Sequence, residues 1–382
     1  MKILTLVSEY PSYENEIPNT FVHKILKELQ NNGAEVYVLL MDFRSIRKKR
    51  KWGLSSYEYD GIKVYRYAFP CGPIPYALQY LSRMTVNKLY KYAQKFEGTP
   101  DIIHAHFGTM AYLAGALKKK HHIPYIVTEH SSSLMTQTKQ KNSNHKFFFQ
   151  GYENADKIVA VSNSLKNAIV SQAAALVPVV VPNILGSDFK LRPEIQKEDV
   201  FTVISAGRLI QSKRYDLLIS TVACLVAQKH RIQLWIVGDG DQRKSLEDQA
   251  RELGVLDSVV FWGTKKPFEL CELFNRSHVF ALPSEVETFG VVYIEANACG
   301  LPIVATDCGG PSDIVNEGNG LIIPQNDNEA LAKAILSIKM NYDKFDPSVI
   351  SDFAIKKYGK ASIISQYFSI YGEVIDEYIK KN

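Results

Sequence analysis

Short apolar runs rich in β-branched residues alternate with helix-like segments along nearly the whole chain. Runs of this length and character are typical of strands that are buried on both faces of a parallel sheet. In the first half they predict strands at 2–8, 34–41, 62–69, 101–107, 124–130, 157–162 and 177–183. In the second half they predict strands at 201–208, 232–239, 259–263, 278–284, 302–307 and 320–324.

A charged link, LRPEIQKEDV (191–200), separates the two series of strands. A chain of 382 residues is also too long for a single hydrophobic core. We therefore predict an α/β protein with two tandem Rossmann-like domains, each a doubly wound parallel sheet, facing a central cleft. The predicted domains are 1–185 and 186–350, and 351–382 is predicted to form a C-terminal helix that packs back on the first domain.

The composition is that of an ordinary globular protein, with 46% hydrophobic and 22% charged residues. No apolar run reaches the roughly 18 residues that a membrane-spanning helix needs. The first residues, MKILTLVSEYP, lack a small-residue cleavage site and predict a β-strand rather than a signal peptide. Five dispersed cysteines without metal-ligand spacing indicate reduced thiols and a cytoplasmic location.

The charge is distributed unevenly along the chain. Residues 1–190 hold 24 Lys and Arg against 14 Asp and Glu, whereas residues 191–382 hold 21 against 26. Part of the basic excess lies in RSIRKKRKW (44–52), which is either a solvated loop or a segment attracted to an anionic membrane surface. No nucleic-acid-binding motif accompanies it, so nucleic acid is not expected as a partner.

Polar residues follow many of the predicted strands. Open α/β sheets bind ligands beyond the carboxyl ends of their strands, and a cleft between two such sheets is the natural site. The polar residues in these positions are Glu9, His104, His106, Glu129, His130, Arg208, Asp239, Ser284, Glu287 and Asp307.

Two cations follow the first strand of the second half, in SAGRLIQSKRYD (205–216). Arg208 and Lys213 lie beside a predicted helix start, where side chains, free N–H groups and the helix dipole all favour a phosphate. The alternative is that both are exposed surface charges. The nearby VGDGDQRKSLE (237–247) lacks the third glycine of a dinucleotide-binding motif and predicts a tight turn between a strand and a helix.

Two acids lie at the ends of an apolar run in EVETFGVVYIEANACG (285–300). A helix is predicted to begin near Gly290, which leaves Glu287 in the preceding loop and Glu295 inside the helix. The backbone N–H groups around Phe289 to Val291 form a second anion site. The two acids are then expected to flank a polyol ligand, and the alternative is an ordinary loop acid and helix acid.

Three histidines lie on or just after predicted strands of the first half. His130 ends a strand in TEHSSS, where a catalytic role and a structural role are both open. His104 and His106 alternate along one strand and point to the same face. With no Cys or further acid at ligand spacing, no metal site is expected.

Several motifs, in this order, resemble glycosyltransferase family 4, a family of retaining enzymes with the GT-B fold. They are GRLIQSK, GDG, FWG, LPSEVETFGVVYIEANACGLPIVATDCGGPSDIV and GNGLIIP, with looser matches in SEYPS, PNTFV, HAHFG, VTEHSS and VPN. The match is close over 201–330 and looser over the first half.

The resemblance implies a role for each candidate residue. It implies that Glu295 binds the ribose of a nucleotide sugar and that Glu287 holds the transferred sugar beside the reacting carbon. The remaining implied roles are diphosphate binding by Arg208, Lys213 and the amides of Phe289, Gly290 and Val291, donor-sugar contact by His130, base contact by Thr264 and Lys265, and an acceptor side near His104 and His106. It implies no metal ion and no cofactor besides the donor, for which UDP is favoured over GDP.

The sequence thus predicts a retaining glycosyltransferase that moves a sugar from a nucleotide sugar to a glycan or lipid-diphosphate-linked acceptor. The basic first half indicates a role in bacterial surface polysaccharide biosynthesis, in the cytoplasm at the inner face of the membrane. A nucleotide-sugar epimerase or hydrolase on the same fold and a non-catalytic sugar-nucleotide-binding protein remain open. A glycosidase is disfavoured, because it leaves Arg208 and Lys213 without a role.

Overall fold

The computed structural model describes residues 1–13, 20–43, 51–69, 75–136 and 143–381. The strands are β1 (Lys2–Val7), β2 (Glu35–Asp42), β3 (Gly53–Tyr59), β4 (Ile62–Ala68), β5 (Ile102–His106), β6 (Tyr125–Glu129), β7 (Lys157–Ala160), β8 (Val179–Val180), β9 (Phe201–Ala206), β10 (Ile232–Val237), β11 (Val259–Gly263), β12 (Val279–Leu282), β13 (Ile303–Thr306) and β14 (Gly320–Ile323). The helices are α1 (Thr20–Asn31), α2 (Pro75–Glu97), α3 (Gly108–His121), α4 (Ser133–Thr136), α5 (Ser143–Glu153), α6 (Asn163–Gln172), α7 (Tyr215–Ala227), α8 (Arg243–Glu252), α9 (Pro267–Arg276), α10 (Val291–Ala298), α11 (Asn328–Met340), α12 (Pro347–Tyr358) and α13 (Lys360–Lys381).

The first sheet has the strand order β3-β4-β2-β1-β5-β6-β7-β8. All its neighbours pair in parallel except β3 and β4, which form an antiparallel pair at one edge. β1 lies inside the sheet, with Lys2 opposite Glu35 of β2 and Ile3 opposite Ile102 of β5. The chain winds to one side of β1 and then to the other, as in a doubly wound fold.

The second sheet has the order β11-β10-β9-β12-β13-β14 and is parallel throughout. β9 is central, with Ile204 opposite Trp235 of β10 on one side and Phe280 of β12 on the other. The chain moves outward from β9 to β11 and returns at β12, so the strand order reverses between β9 and β12. The second sheet is the parallel α/β sheet that the apolar runs predict, and so is the first apart from β3.

The chain divides into two compact units. The first comprises residues 1–161, 165–184 and 363–382, and the second comprises 162–164 and 185–362. The predicted boundary after 185 thus lies one residue from Ile184, where the second segment of the first unit ends. The predicted C-terminal helix over 351–382 is wrong in its extent, because the structure has two helices there. α12 belongs to the second unit, where Ser351 Oγ donates a hydrogen bond to the carbonyl of Ala298 at 2.7 Å.

The greater part of α13 belongs to the first unit and contributes to its core. Ile363, Tyr367 and Tyr371 are buried among the apolar side chains of α1, β1 and β2. The O–H of Tyr371 and Nδ1 of His104 are 2.8 Å apart, and this bond joins the helix to β5. The core of the first unit is therefore built from both ends of the chain.

β3 has no counterpart among the predicted strands. Its residues are half-buried or exposed, since it lies at the edge of the sheet and pairs only with β4. A two-residue turn joins the two strands, with Asp60 and Gly61 both at positive φ (48° and 74°). An Asp-Gly pair of this kind is a strong hairpin signal.

Candidate functional site

The loops that follow β9 and β12 meet where the strand order of the second sheet reverses. The predicted strands over 201–208 and 278–284 end earlier in the structure, at Ala206 and Leu282, so the polar residues at their ends lie in loops. Open α/β sheets bind their ligands at this kind of reversal. The fold thus brings the predicted cations and the predicted acids of the second half to one edge.

The loop after β9 leaves the sheet at Gly207, which has φ of 154°. Arg208 follows it with an exposed side chain, and no carboxylate in the described part of the chain forms an ion pair with its guanidinium. The same loop packs tightly on the loop after β10: a Cβ on Gly238 would stand 1.9 Å from the carbonyl oxygen of Gly207, and one on Gly240 2.3 Å from that of Leu209. The glycines of the GDG motif therefore allow two backbones to touch, in a tight turn as predicted.

Lys213 ends a 3₁₀ turn (Gln211–Lys213) after β9 and forms an ion pair with Glu287. Its Nζ donates to Oε1 of Glu287, and Ser284 Oγ donates to the same oxygen at 2.9 Å. The side chains are 20% and 10% exposed, so the pair lies at the edge of the solvent. Oε2 of Glu287 accepts no hydrogen bond from the described residues. One carboxylate oxygen is held by the protein, and the other can accept from a ligand hydroxyl.

The backbone of Glu287 is held by the loop after β13. Its N–H donates to the carbonyl of Cys308 at 3.1 Å, and its carbonyl accepts from the N–H of Gly310 at 2.8 Å. A Cβ on Gly310 would lie 2.3 Å from Cα of Phe289, which requires glycine at this position. Sequence reasoning gave these residues no role, although the adjacent glycines of CGG (308–310) were a signal of close backbone approach.

Helix α10 begins next to this carboxylate. Gly290 caps it at φ of 89° with no side-chain hydrogen bond, so the first N–H groups of the helix, at Val291 and Val292, lack an intrahelical partner. The Phe289 side chain is buried and packs on Tyr358 at a ring distance of 5.7 Å. Only its backbone can therefore contact a ligand. Glu295 lies in the second turn of α10, half-buried and with contacts of its own.

Thr264 and Lys265 follow β11, on the far side of β10 from β9. Thr264 is exposed, and the Lys265 ammonium lies over the Trp262 ring at 5.4 Å. The N–H of Gly238 donates to the carbonyl of Gly263 at 2.9 Å, which ties this loop to the turn beside Arg208. The predicted base-binding residues thus continue the row of loops at the same edge of the sheet.

The three predicted histidines lie together in the first unit. The His104 and His106 rings are 4.2 Å apart, and His106 Nδ1 lies 3.1 Å from His130 Nε2. All three are buried, and His104 also bonds Thr128 Oγ1 at 2.7 Å through Nε2. Two ring nitrogens, Nε2 of His106 and Nδ1 of His130, are buried without a hydrogen-bond partner among the described residues.

Burial keeps this cluster neutral. It lowers the pKa of His106 to about 3. Burial, and then the charges of neighbouring histidines, lower the pKa of His104 and His130 well below the ordinary value. A neutral histidine with an unused nitrogen can exchange a hydrogen bond with a sugar hydroxyl.

Glu129, at the end of β6, supports the turn that carries His130. Its Oε1 accepts from the N–H groups of His130 (2.9 Å) and Ser131 (2.7 Å), and its Oε2 accepts from the hydroxyl of Tyr152. Burial raises the pKa of Glu129, and the hydrogen bond from Tyr152 opposes that shift. Sequence reasoning noted Glu129 only as a polar residue after a strand.

Two further features bear on the sequence predictions. No group of three or more His, Cys, Asp and Glu side chains in the described ranges is arranged to hold a metal ion. Among the helices that the structure describes, none has the length and apolar character needed to cross a bilayer. The basic segment 44–52 lies outside the described residues except for Lys51 and Trp52, which are exposed.

Two family models match the chain one after the other. The model "Glycosyltransferase Family 4" matches residues 18–185, and "Glycosyl transferases group 1" matches residues 187–348. Together they cover the second sheet and all of the first except β1, and they define the class, a glycosyltransferase with the GT-B fold. The chain belongs to glycosyltransferase family 4.

Proteins that are similar to this chain in sequence are glycosyltransferases as well. An uncharacterized glycosyltransferase of Methanocaldococcus jannaschii is 28% identical, over 94% of this chain and 91% of its own length. A D-inositol 3-phosphate glycosyltransferase of Stackebrandtia nassauensis is 28% identical, over 83% and 77%. TuaC of Bacillus subtilis, a glycosyltransferase named for teichuronic acid biosynthesis, is 25% identical over 88% of each chain.

Solved structures share the fold. Sucrose-phosphate synthase from Thermosynechococcus elongatus superposes with a TM-score of 0.78 at 20% identity, covering 98% of this chain and 99% of its own. Anabaena HepE, solved with UDP and glucose, superposes with a TM-score of 0.76 at 20% identity, covering 98% and 100%. These structures show the fold, and the family models and sequence relatives show that the chain is an enzyme that transfers a glycosyl group.

Proposed function

We propose that this enzyme transfers a sugar from a nucleoside diphosphate sugar, with UDP favoured over GDP, and that it retains the configuration of the anomeric carbon. The observation that carries the proposal is the Lys213–Glu287 ion pair beside the open N-terminus of α10, at the reversal of the second sheet. A cation, a carboxylate oxygen and two backbone N–H groups, the last three without partners among the described residues, match a sugar joined to a diphosphate.

The candidate residues divide between the parts of such a donor. Lys213 uses one N–H on Glu287 and keeps two more donors for phosphate oxygens, and Arg208 adds an uncompensated charge. Val291 and Val292 offer backbone N–H groups to the distal phosphate. Oε2 of Glu287 accepts from a sugar hydroxyl, and Glu295 accepts from the ribose.

Thr264 and Lys265 border the base in this proposal. UDP is favoured because HepE, a structural neighbour, was solved with UDP and glucose. His130 serves as a sugar-binding residue, because its ring is neutral and its Nδ1 has no partner in the described part of the chain. His104 and His106 are assigned to the acceptor side.

The configuration of the anomeric carbon is retained if the acceptor attacks that carbon from the same face that the diphosphate leaves. The acceptor oxygen forms a bond to the anomeric carbon while the bond from that carbon to the phosphate oxygen breaks. The acceptor proton passes to the departing phosphate oxygen. Arg208, Lys213 and the α10 N–H groups stabilise the charge on the leaving group, a task that a divalent metal performs in other enzymes.

The acceptor is proposed to be a glycan or a lipid-diphosphate-linked sugar of a bacterial surface polysaccharide. Residues 1–190 hold 24 basic and 14 acidic residues, and this excess of positive charge suits an anionic acceptor. The relative named for teichuronic acid biosynthesis points to the same kind of product. A location at the inner face of the membrane belongs to this proposal and rests on the charge of the segment 44–52.

The test is calorimetric titration with UDP, GDP and ADP in the absence of divalent metal, on the wild type, Arg208→Ala and the control Arg231→Ala. Arg231 is another exposed arginine of the second unit, away from these loops. Loss of one charge-assisted contact should weaken the preferred nucleotide by about 1.5–3 kcal/mol in Arg208→Ala and leave the control unchanged. Absence of binding, or equal binding by both variants, contradicts the proposal. Release of nucleoside diphosphate only with acceptor present then separates a transferase from a hydrolase or epimerase.

A further inference from the structure

The first unit contains a cavity that the proposed function does not use. Its volume is 580 Å³, within the range of about 300–1,000 Å³ typical of small-ligand sites. It lies among helices α2, α3 and α5. The residues that line it are Arg83, Asn87, Tyr112, Gly115, Ala116, Lys119, Lys120, Gln150 and Asn154.

The lining combines positive charge with hydrogen-bonding amides. Three of its residues are cations, Arg83, Lys119 and Lys120, and none of the described lining residues is acidic. Asn87, Gln150 and Asn154 add side-chain amides. Tyr112, Ala116 and Lys119 follow one another at the three- and four-residue spacing of a single face of α3. Helix α3 thus lines the cavity with the aromatic ring of Tyr112 and the ammonium group of Lys119.

Arg83 is held in place with a donor unused. Its guanidinium carbon lies 4.2 Å from the centre of the Tyr112 ring, a cation–π contact that fixes the group. Its Nε is buried and has no hydrogen-bond partner among the described residues. A guanidinium that is fixed in this way can donate to an oxyanion in the cavity through its terminal N–H groups.

The acids nearby do not neutralise these charges. Asp156 is paired with Lys118 at 2.6 Å, and Glu153 of α5 is exposed. The positive charge in this region also affects His121. Burial first, and then the charges of Lys120 and Lys91, lower the pKa of its ring. The cavity therefore carries an excess of positive charge, and none of its described lining residues is a carboxylate.

We propose that this cavity binds the phosphate group of a phosphate ester, at a site separate from the donor site of the second unit. Arg83 offers a fixed fork for two phosphate oxygens, Lys119 and Lys120 add point charges, and the amides bind the remaining oxygens or hydroxyls of the ester. The proposal goes beyond sugar transfer and does not depend on it.

Inorganic pyrophosphate is the probe for the test. It is titrated by calorimetry into the full chain carrying Arg208→Ala and Lys213→Met, so that the donor site does not contribute. We expect one binding event that weakens at least tenfold when Arg83→Gln, Lys119→Gln and Lys120→Gln are added. The matched control adds Arg231→Gln, Lys244→Gln and Lys356→Gln, which remove three exposed cations of the second unit, and should bind as before.

Pyrophosphate that does not bind, or that binds equally with and without the cavity changes, overturns the proposal. If the triple variant fails to fold, Lys119→Glu with Lys120→Glu replaces it, because both side chains are exposed and the Arg83–Tyr112 contact is kept. The same criterion then applies to the charge-reversed variant.

A competition experiment identifies the source of the phosphate. Glucose 1-phosphate represents a soluble ester, and vesicles of phosphatidylcholine with phosphatidic acid represent a lipid headgroup, with pure phosphatidylcholine as control. Displacement of pyrophosphate by one of them supports the site and assigns its source. Displacement by neither contradicts the assignment to phosphate esters.

Discussion

Lys213 and Glu287 are 74 positions apart in the sequence, and their ion pair joins the loop after β9 to the loop after β12. The pair positions a cation and a carboxylate before any ligand arrives. A site with its charges already in place loses less free energy in ordering them when the ligand binds.

The first prediction concerns the coupling between these two residues. In a double-mutant cycle of Lys213→Met and Glu287→Gln, each single change should lower the free energy of unfolding, because each leaves a partly buried group without its partner. The double variant should recover part of that loss, with a coupling of roughly 1–2 kcal/mol. Denaturant unfolding measures the three variants.

The control for this cycle is Lys333→Met with Glu329→Gln, an ion pair on α11 whose side chains are 74% and 78% exposed. Such a pair should couple by less than about 0.5 kcal/mol. Equal coupling in the two cycles would mean that the buried position of Lys213 and Glu287 has no energetic effect.

The second prediction tests the ribose role of Glu295. Glu295→Ala should weaken UDP by about tenfold, since a hydrogen bond to a charged group is lost. It should leave 2′,3′-dideoxy-UDP unaffected, because that analogue offers no ribose hydroxyl. Calorimetry on both nucleotides gives the ratio. The control is Glu272→Ala, which removes an exposed acid of α9 and should still bind UDP more tightly than the dideoxy analogue. If this control also loses the preference for UDP, the ribose role of Glu295 is refuted.

The third prediction concerns the cap of α10. Gly290→Ala should lower the free energy of unfolding by more than 2 kcal/mol, because an added Cβ would lie 2.4 Å from the Tyr293 ring at a φ of 89°. Gly254→Ala has a similar φ of 68° but nothing within 4 Å of the added Cβ, and should cost only about 1 kcal/mol. Denaturant unfolding compares the two, and a common cost would contradict the steric argument.

The fourth prediction is a pH dependence from the buried histidines of the first unit. Burial lowers the pKa of His106 to about 3, against about 6.5 in an unfolded chain. As the pH falls, the unfolded state takes up this proton first. The contribution of the neutral ring is therefore fully present above about pH 6.5 and is lost as the pH drops toward 3.

His106→Gln should flatten this acid dependence. The slope of the unfolding free energy between pH 6 and pH 5 should fall by up to about 1.4 kcal/mol per pH unit relative to the wild type. His122→Asn, which replaces an exposed histidine at the left-handed C-cap of α3, serves as the control and should keep the wild-type slope. An unchanged slope in His106→Gln would exclude the buried ring as its source.

Most strands of both sheets can be predicted because a strand that is buried on both faces is a continuous apolar run, as in β1 and β9. The run over 259–263 matches β11 at both ends. β3 could not be found this way, because an edge strand is partly exposed and its serines break the pattern. Its Asp-Gly turn was the only local signal.

The positions of the candidate site residues are easier to predict from the sequence than the residues with which they pair. Arg208 and Glu287 can be predicted because they follow strands, and a parallel sheet collects such positions at one edge. His130 follows a strand of the first sheet in the same way. The ion pair of Glu287 depends on β9 lying next to β12, which no local pattern records. The hydrogen bond from Gly310 to Glu287 likewise needs the loops of two different strands.

The return of α13 to the first unit has a consequence for the order of synthesis. Residues 1–184 leave the ribosome first, yet the core they form includes Ile363, Tyr367 and Tyr371. The second unit has its whole sequence by residue 362 and can fold while the first is still incomplete. The unit that contains residues 1–161 is therefore completed after the second unit, and a stop before residue 363 would leave part of its core exposed.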